Sequence, residues 1–279
     1  MAFGISTHLY HDARLDRDHL VEIAAHGFEV IEVFATRTHF DYHDPSAIEG
    51  LVGHLRDAGL RVHSMHAPIA ESLRDGVWGP PLSIASAVEA DRRRAVAEIM
   101  TAARAAQQLE ARFLVVHVGA PDDMVHVTGE NVVSSAARSL QEISDGISAL
   151  GVDMALEVIP NALSTAERLV HWLDEDLELP DAGICLDSGH AHLMEGVVDA
   201  IETASGHLLT THLHDNGGRR DDHQVPFEGS IQWPAALTAF QKVGYDDAWM
   251  FELAAGDTPR RVLERAAKAR ERFERLLQG

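Results

Sequence analysis

Short apolar runs recur along the chain, and longer stretches with helical spacing of apolar positions separate them. Eight such runs read as strands, at residues 3–7, 30–34, 61–66, 113–118, 154–158, 183–187, 208–212 and 248–252. They are near-continuous in Val, Ile, Leu or Phe rather than alternating, as expected for strands covered on both faces. A unit of helix, glycine and strand repeats. It turns at Gly27, Gly59, Gly151 and Gly244, each placed where a helix end needs left-handed backbone. Ser46 with Glu49 and Ser164 with Glu167 have capping-box spacing, and Asp257-Thr258-Pro259 offers a cap followed by a first-turn proline. Strictly alternating strands and helices build a parallel sheet with right-handed crossovers. The pattern therefore predicts a single (β/α)8 TIM barrel spanning residues 1–279. The competing doubly wound sheet is disfavoured: "STHLYHD" follows the first strand, where a glycine-rich phosphate loop would be expected.

The polar residues have their own periodicity. The third to eighth strands end at His66, His117, Glu157, Asp187, His212 and Glu252, with His190 just beyond the sixth. In a barrel of this kind the C-terminal strand ends converge on one mouth. Taken singly, each residue is as well explained by a structural hydrogen bond or ion pair. Together they would bury several carboxylates and imidazoles in one place, which is costly without a compensating cation.

Composition adds limits. At 279 residues with 46% hydrophobic content the chain can bury a large core without a disulfide. The single cysteine, Cys185, lies in an apolar strand and is expected to be an inert buried thiol. No leader and no apolar run of membrane-spanning length is evident, so a cytoplasmic location away from membranes is expected. Net charge is -21, and setting aside the basic segment 260–275 leaves 16 basic against 41 acidic residues. A body this acidic repels phosphates at long range, so nucleic acid is not an expected partner.

Glu157, Asp187, His212 and Glu252 end four consecutive strands and form one arc. Three carboxylates and an imidazole favour a divalent metal: Mn, Mg or Co, with Zn also compatible. His66, His117, His190, Asp221 and His223 form a second set, suited to substrate binding or to further metal ions. Asp221 and His223, two residues apart, can face one way in extended backbone. Glu157 and Glu252 can approach a central ligand from well-separated directions. With a metal on a carbonyl and its neighbouring hydroxyl, one glutamate could remove a proton from carbon and the other return one. That is epimerisation or isomerisation through an enediolate.

These segments, "HAP" at His66, "HVG" at His117, "LEVIPN" around Glu157, "CLDSGH" with Asp187 and His190, "HLHDN" at His212, "DDH" ending at His223, "PFEGSIQW" and "FEL" at Glu252, resemble the xylose isomerase-like (β/α)8 superfamily. The chain resembles most its sugar phosphate isomerase/epimerase branch. The resemblance implies a small sugar, keto sugar or polyol, phosphorylated or not, as substrate, no organic cofactor, one divalent metal on Glu157, Asp187, His212 and Glu252, and the two glutamates as the acid–base pair. It implies substrate contact by His190 and by an arginine after the seventh strand, where Arg219 and Arg220 stand at a different spacing. A dehydratase of the same superfamily is an alternative reading. So is endonuclease IV, whose three-zinc site has counterparts in His66, His117 and Glu157; in Glu157, Asp187, His212 and Glu252; and in His190, Asp221 and His223. A homo-oligomer is compatible with the sequence. His8, His11, Phe34, His39, Phe40 and Trp78 are candidates either for the pocket wall or for packing.

Overall fold

In the computed structural model, which describes residues 2–122, 130–254 and 256–278, eight parallel strands form the barrel. They are β1 (Phe3–Ser6), β2 (Val30–Phe34), β3 (Arg61–His66), β4 (Phe113–His117), β5 (Asp153–Glu157), β6 (Ala182–Asp187), β7 (Leu208–His212) and β8 (Trp249–Phe251). The sheet runs β8-β1-β2-β3-β4-β5-β6-β7. Leu213 closes the ring between β7 and β8: it bridges to Phe251, and its N–H donates to Met250 O at 2.8 Å. The helices between and after the strands are α1 (Arg17–Ala25), α2 (Pro45–Ala58), α3 (Glu89–Gln108), α4 (Val133–Ile147), α5 (Ala166–His171), α6 (Ser188–Met194), α7 (Val197–Thr203), α8 (Trp233–Lys242) and α9 (Pro259–Gln278). No helix among the described residues is long and apolar enough to cross a membrane.

The predicted strands stand, with small changes at their ends. Thr7 leaves β1 for a 3-10 turn, Thr7–Tyr10, and Glu252 follows β8 directly. The four turn glycines all have positive φ, and Gly59 caps α2 at φ 71°. The two capping boxes do not form. Asp44 caps α2, accepting from Ser46 N, with Pro45 as the first helical residue. Thr165 caps α5, while Ser164 Oγ donates instead to Val118 O at 2.9 Å. In each case a neighbouring residue with the same capping chemistry sits at the turn the backbone makes.

Side-chain parity explains the lumen. Residues two apart share a sheet face. Phe113, Val115 and His117 lie on one face of β4, Ala155 and Glu157 on one face of β5, Cys185 and Asp187 on one face of β6. Phe113, Val115, Ala155 and Cys185 form a separate buried apolar cluster. This cluster fills the barrel and floors the polar rim above it. Cys185 is buried, and burial pushes its thiol up, as an inert core thiol requires. Outside, α9 buries Val262, Leu263, Ala266, Ala269 and Phe273 at helical spacing. The Phe273 ring sits 6.3 Å from Phe3, 5.5 Å from Phe251 and 5.1 Å from Trp233, edge-on or tilted.

Candidate metal centre

Strand register aligns the rim. His117 pairs with Glu157 across β4 and β5, Glu157 with Cys185 across β5 and β6, and Asp187 with His212 across β6 and β7. Glu157, Asp187, His212 and Glu252 thereby bring one ligand atom each within 4.8 Å of one another, all four residues buried. His66, His117 and Glu157 form a second such group, His190, His214, Asp221 and His223 a third, and His66, His212 and Glu252 a fourth that shares its members with the first two. The nine acids and histidines read from the sequence all lie in these adjoining groups. Arg219 does not: it is exposed on the loop after β7 and makes no hydrogen bond or ion pair among the described residues.

The contacts are specific. Glu157 Oε2 accepts from His66 Nε2 at 3.1 Å and His117 Nε2 at 2.9 Å, and Oε1 accepts from His212 Nδ1 at 3.0 Å. His212 Nδ1 also faces Glu252 Oε2 at 3.4 Å. Asp221 Oδ2 accepts from His190 Nε2 at 3.0 Å and His223 Nε2 at 2.9 Å. Asp187 caps α6, accepting from His190 N at 2.7 Å, and also accepts from His214 Nε2.

The opposite ring nitrogens are tied down. His66 Nδ1 donates to Ala67 O, His190 Nδ1 to Val158 O and His223 Nδ1 to Glu252 O, at 2.7, 3.0 and 3.2 Å. His212 Nε2 donates to Glu32 Oε2 at 3.0 Å. Each ring therefore turns one fixed nitrogen toward the acids, the arrangement that metal-ligating histidines adopt. The donor set also suits a divalent ion by charge: three carboxylates and one imidazole meet in the arc above an apolar floor, where an unpaired anion is expensive.

The acids and imidazoles perturb one another. Burial opposes charge on His190, but Asp187, Asp221 and Glu157 outweigh it and raise its pKa to about 10. Burial likewise opposes charge on His223, and Asp221, Glu252 and Asp187 raise it to about 9. For His117, burial prevails over Glu157 and lowers the pKa. Burial disfavours the Glu157 anion, yet His212 and His117 hold its carboxyl well below the usual range. Protons stand here where a cation would otherwise balance the carboxylates.

The loop after β7 delivers His214, Asp221 and His223 of the third group, and α6 delivers His190. Asp215 and Gln224 exchange two backbone hydrogen bonds, folding the chain back over the mouth. The buried Asp215 carboxylate accepts from Asn216 N, Phe227 N, Ile231 N and Trp233 Nε1 at 2.9, 3.0, 3.1 and 2.7 Å. Two residues of this loop hold left-handed backbone without being glycine: His223 at φ 44° and Phe227 at φ 77°. Such conformations cost about 1–3 kcal/mol each and persist where surrounding contacts over-determine them. For Phe227 those contacts are Asp215 and the stack of Arg272 over its ring, 3.8 Å from the centroid; for His223 they are Asp221 Oδ2 and the Glu252 carbonyl.

One side of the mouth is aromatic. The His8 ring lies 5.0 Å from Phe34 and 5.0 Å from His223, and Phe34 lies 4.9 Å from His66. Trp78, on a short hairpin of residues 73–78 and half-buried, stacks on His11 at 5.9 Å. His39 has a structural place: its Nδ1 donates to Ala13 O and its Nε2 meets Thr7 Oγ1. Phe40 is core. A cleft of about 600 Å³ opens at the other end of the barrel, lined by Arg61, His63, Arg112 and Asp247 among others. It contains none of the rim residues, and Arg112 there is already paired with Asp247 at 2.6 Å.

Three residues at or just below the rim escape a reading of the sequence alone: Glu32, His214 and Asp215. A lone acid inside the apolar run "VIEVF" is the available signal for Glu32, and the alternation of His212 with His214 is the signal for the latter.

Comparisons with known proteins agree with this architecture. The inosose isomerase of Bacillus subtilis (strain 168) is 28% identical over 140 residues, which cover 46% of this chain and 49% of that protein. Among solved structures, a D-tagatose 3-epimerase-like protein superposes with a TM-score of 0.81 at 23% identity, covering 100% of this chain and 98% of the other. The IolI protein with a bound zinc atom superposes with a TM-score of 0.75 at 17% identity, covering 100% and 98%. The family model described as xylose isomerase-like TIM barrel matches residues 20–278. The chain belongs to the xylose isomerase-like TIM barrel family.

Proposed function

We propose that this protein is a divalent-metal-dependent isomerase or epimerase of a small keto sugar or polyol. The observation that carries this reading is the buried arc of Glu157, Asp187, His212 and Glu252, with ligand atoms within 4.8 Å of one another. The similarity to an inosose isomerase and to a D-tagatose 3-epimerase-like fold supports the reaction class, and the similarity to a zinc-bound structure supports the metal.

When bound, the ion would polarise a substrate carbonyl and lower the pKa of the adjacent C–H. The residues would do the rest. Glu252 has the looser contacts, 3.4 Å to His212 and 3.7 Å to His223, and would remove the proton from carbon. Glu157 would return one to the opposite face. His66, His117 and His190 would hold hydroxyl groups and fix the substrate between the two carboxylates. The aromatic side formed by His8, Phe34 and Trp78 would cover the C–H face of the sugar and exclude water.

Incubation with candidate ketoses in deuterium oxide tests this reading. Label should enter one carbon beside the carbonyl and disappear in Glu157→Gln and Glu252→Gln. Unchanged exchange in both variants would refute the acid–base assignment.

A second reading is phosphodiester hydrolysis at a multinuclear zinc site. The further ligand groups beside the arc favour it, and the net charge of -21 opposes it. Bound-metal stoichiometry with cleavage of abasic DNA separates the two.

A further inference from the structure

We propose that Glu32, an acid on β2 far from the strand-end pattern, is the positioning residue that fixes which nitrogen of His212 faces the ion. This inference rests on the metal-site part of the reading above. Glu32 is completely buried in a run of Ile31 and Val33, and a carboxylate is not retained in such a place without a partner. Its Oε2 accepts from His212 Nε2 at 3.0 Å and from Ser64 Oγ at 2.8 Å. Oε1 has no hydrogen-bond partner among the described residues. The hydrogen bonds of this side chain are therefore directed at one imidazole and at the serine that steadies it.

The consequence follows from imidazole chemistry. A neutral ring carries its proton on one nitrogen only. A carboxylate accepts and cannot donate, so when an ion replaces the proton that Nδ1 shares with Glu157, Glu32 keeps the other proton on Nε2 and the Nδ1 lone pair is left for the ion among Glu157, Glu252 and Asp187, which lie 3.0, 3.4 and 4.0 Å from Nδ1. His66, His190 and His223 use backbone carbonyls for the same purpose. Among these four rings, only His212, the sole imidazole of the four-residue arc, has a carboxylate hydrogen-bonded behind it; the carboxylates nearest Nδ1 of His190 and His223 lie 3.4 and 3.7 Å away, and those nitrogens bond to carbonyls. A carboxylate makes the ring a stronger ligand than a carbonyl does. Barrel geometry puts Glu32 within reach of the ring, because it shares the lumen-facing parity of β2 with Phe34, one layer below the rim.

The test reads metal, not turnover. The native protein is loaded with zinc, and long-range proton–nitrogen NMR of its histidines is recorded. The expected result is His212 protonated at Nε2 and ligated through Nδ1; ligation through Nε2 would overturn the proposal. In parallel, zinc and manganese affinities of native protein and Glu32→Gln are measured by chelator competition, without substrate. Glutamine can present its NH2 group to the ring and stabilise the wrong tautomer, so affinity should fall roughly 10- to 100-fold while the metal-free fold survives. Equal affinity in a folded variant would refute the role. Should the variant not fold, the NMR result on native protein decides. A native protein that takes up no metal would sink this inference and the proposed function together. One that takes up metal but exchanges no substrate proton would sink only the latter.

Discussion

Replacing Asp215 by asparagine should unfasten the loop that carries Asp221 and His223. The wild-type carboxylate accepts four hydrogen bonds, two on each oxygen: Asn216 N and Ile231 N on Oδ1, Phe227 N and Trp233 Nε1 on Oδ2. An asparagine keeps one acceptor oxygen and turns an NH2 group toward the other two donors. Hydrogen bonds to a charged group contribute about 1.5–3 kcal/mol each, and a buried donor left unpaired loses that and its solvation. Two such losses amount to about 3–6 kcal/mol, which for a chain of this size is a fall in melting temperature of roughly 5–10 °C. The damage should be local first, because Phe227 already sits at φ 77° and depends on that amide contact. Hydrogen exchange should therefore accelerate at Phe227 and Ile231 before it accelerates in the barrel strands. Under the multinuclear reading the metal count should fall selectively, since the group of His190, His214, Asp221 and His223 loses two members while the arc keeps all four; under the single-ion reading it should not change. A melting temperature within about 2 °C of wild type, a shift of under roughly 1 kcal/mol, with unaltered exchange at Phe227, would refute the assignment of Asp215 as the loop's anchor.

Two other perturbations have defined outcomes. A Cβ at Gly189 would overlap the His214 ring, so Gly189→Ala should push that ring off Asp187. Overpacking costs about 1–3 kcal/mol, and a variant as stable as wild type would show that the ring has room to move. The histidines give a pH signature. His190 and His223 have folded pKa values near 10 and 9, above the unfolded value of about 6.5. The folded, metal-free protein therefore holds extra protons between these limits. Their stabilisation is complete below about pH 6.5 and is lost as pH rises through about 9 and 10. Urea melts of chelator-treated protein should weaken over that window, while stabilisation by added zinc should grow, because the ion displaces those protons. Metal-free stability that climbs from pH 7 to 10 would contradict the charge balance described for the rim.

Sequence and structure agree most where chemistry and periodicity coincide. Glu157 and Glu252 stand at strand ends, and a polar residue that closes an apolar run declares both its position and its direction. Asp187 and His190 are three residues apart because one caps the helix in which the other lies, a local relation visible in "LDSGH". The capping residues are less legible. Ser46 and Asp44 have equivalent chemistry, and only the path of the backbone selects between them. Glu32 is hidden for a different reason. It lies in the middle of a strand and not at its end, and its partner His212 is 180 residues away in sequence. Nothing local in "VIEVF" says that the strand faces β7 across a lumen. That relation exists only once β8 and β1 join and the ring closes. Parity then converts it into a rule: a glutamate at an odd step from Glu32, at Ile31 or Val33, would point into the helix layer, where it would have no imidazole to hold. The acid is informative in this sequence because of the face it occupies, and that face is a property of the closed barrel rather than of the strand.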